Sequence, residues 1–252
     1  MSDAALSQTC GVRRPVLWLR PAHAGYLGPE LDVGMHATPI ACVGLGLDGP
    51  FILETTEHGE RVARTTYVAA RTPHRIVTDG WIVLLFAEPA TAAATVLRDS
   101  MQTTAGACRF DSRYEPDLIA AATEGVAAID ELVCALAPVP QSFDARIAQT
   151  MQEIRTDPAS RTSANAAAAA LNMSVSHFLH SFAERTGTTF RRYRQWARLR
   201  AVSAGLNAGH DLTRCAADAG FASPSHLSET FRRTFGLSLT SLLKAQVEFD
   251  IR

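Results

Sequence analysis

The stretch SHFLHSF (176–182) returns 49 positions later as SHLSETF (225–231). In each copy a glycine, Gly187 or Gly236, follows five residues after the last phenylalanine. The likeness extends upstream, where AAAALNMSVSHFLHSFAERTG (167–187) lines up with CAADAGFASPSHLSETFRRTFG (215–236). Each copy begins with a short alanine-rich helix. A residue that tolerates positive φ follows, Asn172 or Gly220. Then come a hydrophobe, Met173 or Phe221, and a serine helix start. The second helix carries Phe178 and Phe182, or Leu227 and Phe231, four positions apart. Each pair lies on one helical face and packs on the preceding helix. Small alanines let the two helices approach closely. This pattern specifies a helix-turn-helix, twice in one chain.

The opposite face of each second helix is left free, with side chains suited to base edges. The candidate base readers are Ser176, His177, Leu179 and His180 in the first copy, and Ser225, His226, Ser228 and Glu229 in the second. Between the copies TTFRRYRQWARLRAVSAGLNA (188–208) reads as one helix about 30 Å long. Major-groove faces on one side of B-DNA recur about every 34 Å, so such a helix can set two reading helices into adjacent grooves. Trp196, Leu199 and Val202 form its expected buried stripe. The candidate phosphate contacts are Arg191 and Arg194 on this helix, Ser174 and Ser223 at the reading-helix starts, and Arg232 and Arg233.

Charge divides the chain the same way. Residues 1–137 carry 10 Lys/Arg and 16 Asp/Glu, whereas 138–252 carry 14 and 9. A basic half joined to an acidic half points to double-stranded DNA as the partner of the basic half. The two prolines of ALAPVPQSFD (135–144) mark a linker. Before it, VLWLR (16–20), IACVGLGL (40–47), FILETT (51–56), RVARTTYV (61–68), HRIVTD (74–79) and WIVLLFAE (81–88) read as short strands of a sandwich or small barrel. Helices are expected over 91–101 and 117–136. In the second, Ile119, Val126, Ile129 and Val133 fall on a heptad seam, a candidate homodimer contact. After the linker every element reads as helix, the last spanning 238–248.

The segment LTRCAADAGFASPSHLSETFRRTFGLSLTSLLK (212–244) resembles the signature of the AraC/XylS transcription regulators. It has a Leu-x-x-x-Ala start, Gly-Phe at the turn, serine near the reading-helix start, and Phe-Gly after it. The segment 188–206 is similar to the family's connecting helix. The pattern departs at Asn172, where glycine is usual, at Leu239, where proline is usual, and at Leu227 and Glu229. The resemblance covers about 143–248. It implies binding of two major-groove segments and control of transcription by contact with RNA polymerase.

The N-terminal half resembles the cupin-like sensor domains of that family through MHATP (35–39) and RTPHRIV (71–77). His36 and His74 are then candidates for lining a small-molecule effector pocket. Thr38 stands where metal-binding cupins carry a second histidine, and two histidines do not close a metal site. No metal and no cofactor are therefore expected. The chain is read as an α+β multidomain protein: a cupin-like β-barrel with helices (1–137), a linker (138–142), and an all-α domain (143–252) with two helix-turn-helix motifs joined by a long helix.

Composition narrows the classes further. There is no run of 18 apolar residues, so no membrane span is expected, and the start lacks a secretory pattern. Five cysteines, none in a Cys-x-x-Cys pair, fit free thiols in a cytoplasmic protein. Cys42 and Cys134 read as buried. The expected function is an effector-responsive transcription regulator rather than an enzyme. Two alternatives are a cupin enzyme fused to a DNA-binding module and a thiol-based DNA-bound sensor using Cys108 beside Arg109.

Overall fold

A computed structural model describes residues 14–136 and 144–252. The expected linker, 138–142, lies outside the described residues, as does Cys10. The first half is built on strands β1 (Val16–Leu19), β2 (His23–Pro29), β3 (Cys42–Gly46), β4 (Phe51–Thr55), β5 (Gly59–Ala63), β6 (Thr65–Val68), β7 (His74–Val77) and β8 (Trp81–Ala87). Helix α1 (Ala92–Asp99), strands β9 (Met101–Ala105) and β10 (Cys108–Ser112), and helices α2 (Glu115–Glu124) and α3 (Val126–Leu136) complete it. The helical half runs α4 (Ala145–Thr156), α5 (Ala164–Ala170), α6 (Val175–Thr186), α7 (Phe190–Asn207), α8 (Leu212–Asp218), α9 (Pro224–Phe235) and α10 (Leu239–Lys244). It ends in a strand, β11 (Glu248–Ile251).

An eight-stranded sheet has the order β11-β1-β2-β8-β3-β6-β10-β9, and a three-stranded sheet has the order β5-β4-β7. The small sheet packs Phe51, Leu53 and Ile76 against Ile82, Val68 and Phe110 of the large one. The other face of the large sheet, through Val43, Val83 and Leu85, is covered by α1, α2 and α3. This explains why β8 reads WIVLLFA without polar alternation: both of its faces are buried. The cupin-like barrel with helices is the observed architecture.

The run RVARTTYV divides after Ala63, so that β5 and β6 belong to different sheets. Strand β2 is hidden in the sequence by Gly25, Gly28 and Pro29. The ring of Trp18 lies over Gly25, where a Cβ would sit 2.2 Å from it, and the Tyr26 ring fills the same space at Gly28. These glycines are required by close approach of aromatic rings, not by a turn.

The 117–136 helix is two helices. Gly125 breaks it with φ +123°, and Ile129 and Val133, each 2% exposed, pack into the chain's own core beneath the sheet. Ile119 and Val126 are half-buried against the same core. The heptad seam is consumed within the protomer. Its spacing is real, but a sheet face fills it instead of a second copy.

The C-terminal end is corrected as well. Helix α10 stops at Lys244, and β11 pairs in parallel with β1, in register from Val16 with Glu248 to Leu19 with Ile251. The helical half thereby covers the edge of the first half's sheet, which would otherwise present unpaired backbone groups. Arg20 ties the joint, bonding Asp130 of α3 through Nε at 2.6 Å and Asp250 of β11 through Nη2 at 2.7 Å.

The two halves share apolar cores. Phe86, Ile40 and Cys42 pack with Ile147, Phe178, Phe182 and Trp196. At the centre of this joint Glu88, 2% exposed, follows β8. It accepts from Arg155 at 3.2 Å, from Trp196 Nε1 at 3.1 Å, from Arg200 at 3.0 Å and, in a short bond, from the Tyr193 hydroxyl. Tyr193, Trp196 and Arg200 recur at helical spacing on one face of α7, and Arg155 sits in the last turn of α4. Burial and the neighbouring carboxylate raise the Tyr193 hydroxyl well above its ordinary range. It therefore stays a donor.

Candidate nucleic-acid interface

Each half of the repeat folds as its sequence directs. In the first, α5 and α6 meet at a turn where Asn172 takes φ +53°. In the second, Gly220 takes φ +75° between α8 and α9, and a Cβ there would sit 2.7 Å from Ala159 Cα. The reading helices start on matched caps: Ser174 accepts from the His177 amide and Ser223 from the His226 amide. Both end at left-handed glycines, Gly187 and Gly236. Phe178 and Phe182 are fully buried, as is Leu227, with Phe231 nearly so.

That packing fixes what faces outward. Ser176, His177, Leu179 and His180 on α6 are exposed, as are Ser225, His226, Ser228 and Glu229 on α9. Leu179 is among the few large hydrophobic side chains left exposed. Ser228 Oγ donates to the Pro224 carbonyl at 2.9 Å, leaving its lone pairs outward. The His226 ring packs edge-on against Phe221, and its Nδ1 accepts weakly from the Ala222 amide at 3.4 Å.

The basic side chains divide into two groups. Arg194 donates to the carbonyls of Thr162, at 2.9 Å, and Ser160. Arg198 donates to the Pro158 carbonyl at 3.1 Å. These two hold the loop between α4 and α5 to the connecting helix, so Arg194 is a structural residue here and not a free phosphate contact. Arg191, Arg232 and Arg233 are exposed. A cleft of about 440 Å³ opens between the two motifs, lined by Arg191, Arg233 and His226. Arg192 is held below its ordinary range first by burial, then by repulsion from Arg233, Arg191 and Arg71. Such a cluster of like charge is relieved by a bound polyanion.

The connecting helix has 18 residues, about 27 Å of rise. Trp196, Leu199 and Val202 are buried as expected.

Residues 167–245 match the family model described as a helix-turn-helix domain. The chain carries an AraC-type helix-turn-helix domain. It is a DNA-binding transcription regulator. No curated protein matches the sequence. Among solved structures the chain is similar to an apo form of ToxT from Vibrio cholerae, with a TM-score of 0.61 at 12% identity, covering 90% of this chain and 98% of that one. It is also similar to an unsaturated fatty acid-bound wild-type ToxT, with a TM-score of 0.57 at 12% identity, covering 92% and 97%. At such identity the likeness concerns the fold: a cupin-like first half carrying an AraC-type second half.

Between the halves of this regulator lies an apolar chamber of about 100 Å³. Its wall comes from the barrel, through Leu19, Ile76 and Phe86, and from the AraC-type half, through Trp196, Leu199, Phe231 and Phe235. His36 and His74 both line it, their ring centroids 4.4 Å apart. Burial lowers the pKa of His36 and, with repulsion from His36 added, that of His74 to about 4. Both rings are neutral at pH 7. The contribution of Arg200 to the wall, and the Glu88 cluster behind it, are features that sequence reading did not find. The signal was there in Tyr193, Trp196 and Arg200 on one helical face, and in an apolar strand ending in glutamate.

Among the described residues the cysteines are free thiols, and Cys134 is exposed, contrary to expectation; it lies on the outer face of α3. Cys108 is buried, and burial followed by repulsion from Glu57 raises its pKa. That is the opposite of the activation a thiol sensor needs. Among the described residues no helix is long and apolar enough to cross a membrane.

Proposed function

We propose that this regulator reads two successive major-groove segments with α6 and α9, and that an apolar small molecule in the chamber controls the reading. The observation that carries the proposal is the double duty of α9. Its inner face places Phe231 in the chamber wall, and its outer face presents Ser225, Ser228 and Glu229. A ligand that displaces Phe231 changes the pose of the reading face. Interiors switch between discrete packings and do not deform continuously. The unsaturated fatty acid of the ToxT structure supports a small-molecule role for this architecture.

His180 and Glu229 are assigned to base edges, and Arg191, Arg232, Arg233 and the two capping serines to phosphates. Contact with RNA polymerase belongs to the same reading. A single chain supplies both reading helices, and the apolar seam of α2 and α3 is used inside the protomer.

The test uses the full chain. A duplex site is selected from a random pool, and its affinity is compared for wild type and Ser203→Phe, which places a ring in the chamber wall. An affinity shift of threefold or more is expected. Unchanged affinity in a folded variant would separate the chamber from DNA reading.

A further inference from the structure

The polar groups of the chamber are answered by the protein, with two exceptions. Thr38 donates to the Ile40 carbonyl at 2.7 Å, and Ser203 to the Leu199 carbonyl at 3.3 Å. Arg200 is engaged by Glu88 at 3.0 Å and by the Arg20 carbonyl at 2.6 Å. The exceptions are the two histidines.

His74 is 1% exposed, and its Nδ1 lies 2.8 Å from the Thr72 carbonyl. A carbonyl only accepts, so Nδ1 carries the proton and Nε2 is left as a bare lone pair. Among the described residues nothing donates to that Nε2. His36 repeats the arrangement, with Nδ1 2.9 Å from the Gly34 carbonyl. The two residues also bond each other's backbones, His36 N to His74 O at 3.0 Å and His74 N to His36 O at 2.8 Å. Their rings are therefore held in a fixed relation. The burial that depresses both pKa values keeps both rings neutral. The His74 ring is almost wholly buried and the His36 ring half-buried, and two acceptors side by side in an otherwise apolar wall form a recognition feature for a donor.

We infer that the chamber takes a small apolar molecule bearing a neutral hydroxyl, a phenol or an alcohol, which donates its proton to the Nε2 lone pair of His74 or His36. This rests on the reading of the chamber as the effector site. The available volume agrees. At about 100 Å³ it approaches the size of an engineered apolar cavity of about 150 Å³ that takes up benzene, so one ring fits with slight expansion. A carboxylate is disfavoured, because it sets lone pairs against lone pairs and the nearby arginine is already paired.

The test titrates the full chain by calorimetry with three probes of one shape: 4-methylphenol, toluene and 4-methylbenzoate. The phenol is expected to bind about three- to tenfold tighter than toluene, the worth of one neutral hydrogen bond, and the benzoate weaker than toluene. In His74→Phe the advantage of the phenol should shrink to less than twofold while toluene still binds. His74→Gln, whose amide oxygen accepts, should restore part of it. Equal binding of phenol and toluene by wild type overturns the hydroxyl assignment and leaves the effector chamber standing. Tightest binding by the benzoate does the same. A phenol advantage undiminished in folded His74→Phe and His36→Phe removes the histidines as its cause. If neither variant folds, the wild-type series alone decides. Binding of none of the three probes overturns the assignment and the chamber reading together.

Discussion

Replacing Glu88 by glutamine keeps the shape of the side chain and removes one charge at the joint between the halves. The carboxylate is 2% exposed and receives four donors, from Arg155, Tyr193, Trp196 and Arg200. The two guanidiniums are themselves 29% and 14% exposed, so water replaces little of what they lose. Glutamine offers one accepting oxygen and turns an NH₂ group toward donors. Breaking a buried charge pair from one side costs about 3–5 kcal/mol. Against a total stability of about 5–15 kcal/mol, that is a large share. Urea unfolding of the full chain measures it as a fall in the midpoint. Tyr193→Phe, which removes one hydroxyl, should cost about 1 kcal/mol. The double variant should fall short of the sum, because both changes act on one network. A loss below about 1 kcal/mol in Glu88→Gln would place the cluster with exposed ion pairs and refute its role as the interdomain joint.

Other consequences are open to measurement. Ile129→Glu should destabilise the chain by about 3 kcal/mol or more, by burying an unpaired charge in its own core; sedimentation showing only a loosened oligomer with unchanged stability would revive the dimer seam. Each of His180→Ala and Glu229→Ala should cost about 1–3 kcal/mol at its own segment of the selected site and relax preference there. Arg233→Ala should reduce the slope of log affinity against log salt by about 1, whereas Arg194→Ala should lower stability and leave that slope unchanged. His74 has a folded pKa of about 4, below the unfolded value of about 6.5. Its neutral form therefore contributes stability that is full above about pH 6.5 and is lost as pH falls toward 4, on the order of 3 kcal/mol. The difference between wild type and His74→Phe across that window isolates it.

The helical half was legible because a repeat shows its own spacing: helix starts, turn residues and buried pairs appear twice and confirm one another. Strands β3, β4, β7 and β8 were legible from β-branched runs between turn signals. What escaped depends on partners distant in sequence. Gly25 and Gly28 disguise β2, because the rings they accommodate belong to Trp18 and Tyr26. The heptad spacing of 117–136 is blind to what it packs against, and Gly125 decided the matter. Strand β11 follows a good helix pattern and is a strand only because the β1 edge is there to receive it. Arg194 looked free for phosphate, because the carbonyls it serves lie about 32 positions upstream in the turn before α5. The outward positions of α6 and α9 were read correctly as exposed faces, since burial of Phe178, Phe182, Leu227 and Phe231 fixes the opposite side.

The central claim, that one chain places two reading helices in successive grooves, is tested most directly by methylation-protection footprinting of the selected duplex with the full-length protein. The account predicts two protected major-groove segments centred about one helical turn apart, with Glu229→Ala altering one and His180→Ala the other. A single protected segment, or both variants altering the same one, would contradict it.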